Sequence, residues 1–201
     1  VPLRGQNNVQ GGGDMGALPN KLPGFQDLTS VESFQKFSAS YGVDLNPLPG
    51  LHLTQMFEAM DEGAIKTLYV IGENPADSEA DVGHTRKLLS ELDFLVVQDI
   101  FLTRTAELAD VVLPATVGWA EAEGTVTSSE RRVQRVRPAV QGPVGARDDH
   151  LIIGDLAKRL GAKWLAESAE ELWDEVRSLS PMHAGMTYER LEKLDGIQWP
   201  C

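Results

Sequence analysis

The chain has 201 residues, enough for one generous domain or two small ones, and its 42% apolar content can bury a real core. Thirty acidic against 18 basic residues give a net charge of −12, which argues against a general nucleic-acid or anionic-membrane binder. The single cysteine, Cys201, excludes an internal disulfide, a four-cysteine zinc site or an iron–sulphur cluster held by this chain alone. No apolar run nears the roughly 20 residues that span a bilayer, and no basic segment with an apolar stretch behind it opens the chain. Cysteine poverty fits a reducing compartment, so a cytoplasmic location is expected. The start at Val1 and the stop at Pro200–Cys201 suggest a piece of something longer.

Residues 1–27 read as loop, rich in glycine and proline and without periodicity, including the run Gly11-Gly12-Gly13. Thr29 and Glu32 form a capping-box pattern ahead of a helix whose face is Val31, Phe34, Phe37 and Tyr41, with Gly42 as its stop. After a proline-rich linker, Leu53, Met56, Phe57 and Met60 form the stripe of a second helix ending near Gly63. Leu68–Ile71, Phe94–Val97 and Val111–Leu113 are short apolar runs, as strands buried on both faces read. Between the first two, Ser78 can cap a helix carrying Val82, Leu88, Leu89 and Leu92; a short helical turn is expected from Thr103. Strands and helices alternating over such short connections imply a parallel sheet.

From Trp119 the pattern changes. Gly124–Thr127 and Arg132–Val136 alternate and suggest a hairpin. Helical periodicity returns at Asp149, with Ile152, Leu156 and Leu160. Ser168 and Glu171 form a capping box before Leu172, Trp173, Val176 and Leu179, and a last helix is expected over Thr187–Leu194. The expected fold is α/β: a Rossmann-like, doubly wound, mostly parallel sheet with a small β-hairpin arm and C-terminal helices. The expected division is a loop over residues 1–27, an α/β lobe over 28–118, an extended arm over 119–147 and a helical completion of the lobe over 148–201.

None of the common phosphate-loop, dinucleotide, zinc-protease or serine-nucleophile motifs occurs. His52, His84, His150 and His183 lack ligand spacing, and each reads as a solvated or singly hydrogen-bonded ring. Arg131, Arg132, Arg135 and Arg137 are the basic cluster, but alternation splits them between two faces. In open α/β sheets, ligands bind outside the carboxyl ends of the strands. Those ends read Gly72-Glu73-Asn74-Pro75, Gln98-Asp99 and Pro114-Ala115-Thr116. The first suits a phosphate at a helix N-terminus, and the second suits ribose hydroxyls or a purine edge. Equally, the first is an ordinary strand-to-helix turn and Asp99 a surface acid.

Several stretches carry a resemblance. "VPLRGQNNVQGGGDMG", "GALPNKLPG", "YVIGENPADSEAD", "LVVQDIFLTRTAELADVVLPAT", "EGTVTSSERRVQRV" and the closing "GIQWPC" run through the whole chain in order. They resemble the catalytic subunits of molybdenum- and tungsten-dependent formate dehydrogenases, within the molybdopterin oxidoreductase superfamily. The resemblance implies a bis(molybdopterin guanine dinucleotide) cofactor with molybdenum or tungsten, formate as substrate, and a 4Fe-4S cluster bound outside this segment. The resemblance also makes NAD an expected acceptor, reached through other domains or electron-transfer subunits. The family's catalytic arginine maps onto Arg4 and its active-site glutamine onto Gln6. A guanidinium is well suited to hold a bare carboxylate such as formate. Gly72, Glu73, Asn74 and Ser78 map onto a guanine-dinucleotide loop, Gln98 and Asp99 onto a position after the second strand, and Asp149 onto an acid that reads guanine. Asp149 also reads as a plain N-cap.

The sequence departs from the pattern in two ways besides Asn74, where many relatives have Asp. Gly12-Gly13 stands where Ala-Cys is usual, and the metal's cysteine or selenocysteine ligand, which the family keeps upstream, is not in this chain. The segment alone is therefore expected to be inactive. Two other readings share much of the pattern: another molybdopterin oxidoreductase such as nitrate reductase, and the non-catalytic scaffold subunit of respiratory NADH dehydrogenase.

Overall fold

The computed structural model describes residues 6–163 and 168–201. The chain divides into two compact units. The first is formed by the described residues of Val1–Gly50, Glu123–Arg137 and Ala166–Cys201, and the second by those of Leu51–Ala122 and Pro138–Leu165.

In the first unit the opening segment is not loop throughout. It contains a helix, α1 (Val9–Asp14), and a two-strand antiparallel ribbon, β1 (Lys21–Leu22) with β2 (Gln26–Asp27). The triple glycine is helical. Its poor intrinsic propensity is offset by tertiary bonds at both ends of α1, which no local pattern announces. Helix α2 (Val31–Tyr41) follows, capped by Ser30, whose hydroxyl accepts the Ser33 N–H; Thr29 instead bonds Asp27. Gly42, at φ 66°, stops α2 as expected.

The second unit opens with α3 (Leu53–Asp61) and strand β3 (Thr67–Ile71). A four-residue helix, α4 (Pro75–Ser78), precedes α5 (Val82–Ser90). Ser78 ends α4 and does not cap α5; Asp81 does, through the His84 N–H. β4 (Phe94–Asp99), a 3-10 turn over Ala106–Leu108 and β5 (Val111–Pro114) complete the sheet. The order is β3-β4-β5, parallel throughout, with Val70 opposite Val97 and Val96 opposite Val111. Burial on both faces holds best for the central strand, where Leu95, Val97 and Gln98 are buried. In β5, Val111 and Val112 stay more than a third exposed. The core gathers Val70, Leu95 and Val97 with Met60 from α3 and Leu88 and Leu89 from α5.

The chain then returns to the first unit as the expected hairpin, β6 (Gly124–Thr127) antiparallel to β7 (Arg132–Val136). Helix α6 (Asp149–Arg159) belongs to the second unit. The first unit closes with α7 (Ala169–Leu179), α8 (Tyr188–Lys193) and β8 (Ile197–Gln198). The Ser168–Glu171 capping box forms as read from the sequence, and Thr187 caps α8. β8 pairs with β7, so the hairpin is part of a three-strand antiparallel sheet. Val133 of β7 is fully buried beside Trp173, Met186, Tyr188 and Leu191. Contacts therefore divide the 119–147 stretch: 123–137 group with the first unit, and 119–122 and 138–147 with the second.

The architecture is mixed α/β, with one parallel three-strand sheet and two small antiparallel sheets. No described helix is long and apolar enough to cross a membrane.

Candidate nucleotide-binding edge

The parallel register brings the sequence-selected strand ends side by side. Ile71 pairs with Gln98, and the Gly72 N–H donates to the Gln98 carbonyl at 2.9 Å. Gly72 has φ +65°, which favours glycine, and no heavy atom lies within 4 Å of where a Cβ would stand. The backbone here is therefore open to close approach. Glu73, next along, is exposed.

Asn74 is committed to the turn. Its Oδ1 accepts from the Thr105 N–H at 3.1 Å and the Thr105 hydroxyl at 2.8 Å, and its amide donates to Asp77 at 2.9 Å. The Thr105 hydroxyl in turn accepts the Ala76 N–H at 3.0 Å. The Asn74 amide, followed by the Arg86 guanidinium, holds the exposed Asp77 carboxyl below its ordinary range. The N–H groups of Asp77 and Ser78 both go to the Asn74 carbonyl. With α4 only four residues long and these donors engaged, little helix dipole remains for a phosphate. Ser78 lies exposed at the far end of α4.

Gln98 is fully buried at the end of β4. The Tyr69 hydroxyl donates to its Oε1, and its Nε2 donates to Asp149 Oδ1 at 2.5 Å. Burial, with the Asp149 charge second, raises the Tyr69 pKa, so the phenol keeps its proton. Tyr69 thus fixes which end of the Gln98 amide faces Asp149. Asp149 itself is exposed. It is the first residue of α6 and not its N-cap; that place belongs to Asp148, whose carboxylate accepts the Thr116 hydroxyl at 2.7 Å. Arg147 extends the sheet beside β5 through a parallel bridge to Ala115, which brings the start of α6 to the same edge. Asp99 is half-buried, and its Oδ1 accepts the Phe101 N–H at 3.0 Å.

The structure thus gathers Gly72, Gln98 and Asp149 at one sheet edge, adds Asn74 as the brace of the first turn, and leaves Glu73 and Ser78 exposed in the same loop. Arg4 lies outside the described residues. Gln6 is exposed in the other unit, two residues before α1's N-cap, Asn8. Tyr69 and Thr105, which hydrogen-bond Gln98 and Asn74, are the neighbours that sequence reading missed. Tyr69 was legible in principle, as a polar-tipped ring inside an apolar strand two places from the strand end. Among the described residues, no three His, Cys, Asp or Glu side chains gather as metal ligands.

An open glycine backbone, an exposed acid and a carboxylate aimed by a buried amide suit the hydrogen-bond donors of a purine nucleotide, and this is the kind of edge that α/β redox proteins use for dinucleotides. The sequence profile of the molybdopterin oxidoreductase family matches residues 3–159, and the chain belongs to that family.

Among curated relatives, the chain is similar to the F420-dependent formate dehydrogenase subunit alpha of Methanocaldococcus jannaschii. The two are 52% identical over 202 residues, covering all of this chain and 29% of that protein. It is 47% identical to the putative formate dehydrogenase YrhE of Bacillus subtilis, over 98% of this chain and 20% of that one. The chain therefore spans between a fifth and a third of these relatives' length. Among solved structures, acetylene hydratase from Pelobacter acetylenicus superposes with a TM-score of 0.57 at 24% identity, over 80% of this chain and 23% of that one, a likeness of fold.

Proposed function

We propose that this chain is a segment of a formate dehydrogenase catalytic subunit and supplies one nucleotide-binding face of a bis(molybdopterin guanine dinucleotide) cofactor. The observation that carries the reading is the buried Gln98 amide, oriented by Tyr69 and holding exposed Asp149 at the open sheet edge. Asp149 would accept the N1–H and exocyclic amine of guanine, a donor pair that adenine lacks. Gly72 would let the dinucleotide backbone approach closely, with Glu73 and Ser78 lining the loop, Asn74 bracing it and Asp99 beside the ribose. The residues present fit such a group, because the space a Cβ would fill at Gly72 is open. When bound, the cofactor, carrying molybdenum or tungsten, supplies the two-electron redox centre.

The choice of formate is supported by the names of the relatives that match over this whole chain. In this reading Arg4 grips the formate carboxylate and Gln6 hydrogen-bonds beside it. A 4Fe-4S cluster held upstream and other subunits carry electrons onward. The M. jannaschii relative is named for F420, so F420 joins NAD as an acceptor to assay. In this reading the reaction runs in the cytoplasm, and the 201-residue segment alone is inactive.

The test uses the full-length protein. Arg4→Ala should abolish formate turnover while bound metal and pterin stay at the wild-type level; undiminished turnover removes Arg4 from the reaction. Asp149→Ala should lower the guanine nucleotide released on acid denaturation, and an unchanged guanine content removes Asp149 from recognition.

A further inference from the structure

Helix α1 begins three residues after Gln6 and is tied down at both ends by partners remote in sequence. At its start, Asn8 adopts φ 59°, and its side-chain Oδ1 accepts the Thr127 N–H of β6 at 2.9 Å, 119 residues away. At its end, the fully buried Asp14 carboxylate accepts the Trp199 indole N–H at 2.9 Å, 185 residues away, and the Gln10 amide at 2.8 Å. The Asp14 carbonyl also accepts the N–H groups of Gly24 and Phe25. Trp199 is held in turn: its own N–H donates to the Arg131 carbonyl, and Arg131 stacks on its ring at 5.1 Å. Met15 and Trp199 both pack on the cluster around Val133 and Trp173.

A buried carboxylate is costly to desolvate, and an apolar residue would fill the same space more cheaply. What the carboxylate adds is direction: among the described residues the Trp199 indole and the Gln10 amide hold the end of α1 to within hydrogen-bond tolerance. Six residues of glycine-rich helix have little rigidity of their own. The clamp supplies it, and Gln6 and Asn7, just before Asn8, inherit their place from the clamp.

We propose that Asp14 and Trp199, with Asn8 at the other end, are positioning residues for the segment carrying Gln6, and so for substrate placement. Trp199, the residue after β8, then serves the substrate segment as well as the fold. This rests on the proposed formate reaction at Gln6 and Arg4, and it adds residues that touch no substrate.

The experiment compares full-length wild type with Asp14→Asn, Trp199→Phe and a packing control, Val176→Ala, which loses apolar contact in the same cluster without touching the clamp. Metal and pterin content, kcat and KM for formate, and amide exchange of residues 6–14 are measured on each. Trp199→Phe keeps most of the ring's volume and serves if Asp14→Asn does not assemble. The expected result is a tenfold or greater rise in KM with cofactor content unchanged, and at least tenfold faster exchange over residues 9–14, in both clamp variants and not in Val176→Ala. Unchanged KM with faster exchange overturns the positioning role, and unchanged exchange overturns the clamp itself. If wild type turns over no formate, the proposed function fails, and exchange alone then decides whether the clamp stands.

Discussion

The glycines of α1 offer a matched pair of substitutions with opposite expected signs. At Gly12 no heavy atom lies within 4 Å of an added Cβ. Gly12→Ala therefore gains helix propensity without a clash, about 0.5–1 kcal/mol. For a chain of this length that is a rise of roughly 1–4 °C in Tm. At Gly11 a Cβ would sit 2.0 Å from Asn8 Oδ1 and 2.9 Å from its Cγ. The Asn8 side chain would have to swing away and release the Thr127 N–H, which is buried. An unsatisfied buried donor costs about 1–3 kcal/mol, which outweighs the propensity gain. Gly11→Ala should thus fall about 1–3 kcal/mol below Gly12→Ala in stability. Urea unfolding followed by tryptophan fluorescence reads the difference, since Trp173 lies in the core of the same unit and Trp199 packs against it. A Gly11→Ala chain as stable as Gly12→Ala would refute the folded-back Asn8 side chain. At Gly13 an added Cβ would meet Leu18 and Phe25 at an ordinary 3.7 Å.

Other consequences are open to measurement. Tyr69→Phe leaves the buried Gln98 oxygen without its hydroxyl donor and should cost about 1–2 kcal/mol in unfolding free energy; a neutral result would mean that the hydroxyl does not orient the amide. Thr105→Val removes the hydroxyl that joins Asn74 to the Ala76 N–H, and amide exchange at Ala76 should accelerate at least tenfold while that of β4 does not. His183 is fully buried, with Nδ1 on the Ser180 hydroxyl and Nε2 unpartnered, and burial pulls its pKa down to about 4. Between about pH 4 and the unfolded value near 6.5 the unfolded chain binds more protons, so this contribution is complete above roughly 6.5 and fades as pH falls toward 4. Stability should therefore drop more steeply over that window in wild type than in His183→Gln, and equal slopes would contradict the assignment. Trp173→Phe removes the indole donor to the Met186 carbonyl at 2.7 Å and some buried ring area, for a loss of about 2 kcal/mol by chemical denaturation.

Periodicity and apolar runs revealed the second unit's frame because its elements are locally decided. Phe94–Val97 reads as a strand with no knowledge of its neighbours, and Leu88–Leu89 as the buried face of a helix. The strand ends, and with them Gly72, Gln98 and Asp149, followed from the general rule for parallel sheets. Caps moved by one residue where two equivalent candidates adjoin: Ser30 takes the place of Thr29, and Asp148 that of Asp149. Side-chain chemistry is the same at both positions, so only backbone geometry separates them. Helix α1 was illegible because its residues disfavour helix and its stabilising partners lie 119 and 185 residues away. β8 was missed because two residues are too few for an alternation. Tyr69 was read as part of an apolar run, and its polar tip gained meaning only from the register that sets β3 beside Gln98.

The order in which the chain is synthesised meets the two units differently. β3, β4 and β5 all lie within residues 67–114, so the parallel sheet can form as soon as that stretch has left the ribosome. The first unit draws on three separated stretches. Its α1 is made 185 residues before the Trp199 indole that Asp14 needs. Until then the opening segment must wait with a carboxylate still in water and Val133 without much of its cover. A chain cut short before residue 199 is therefore damaged at α1, and nascent chains halted there should leave α1 open to protease after the sheet is already resistant.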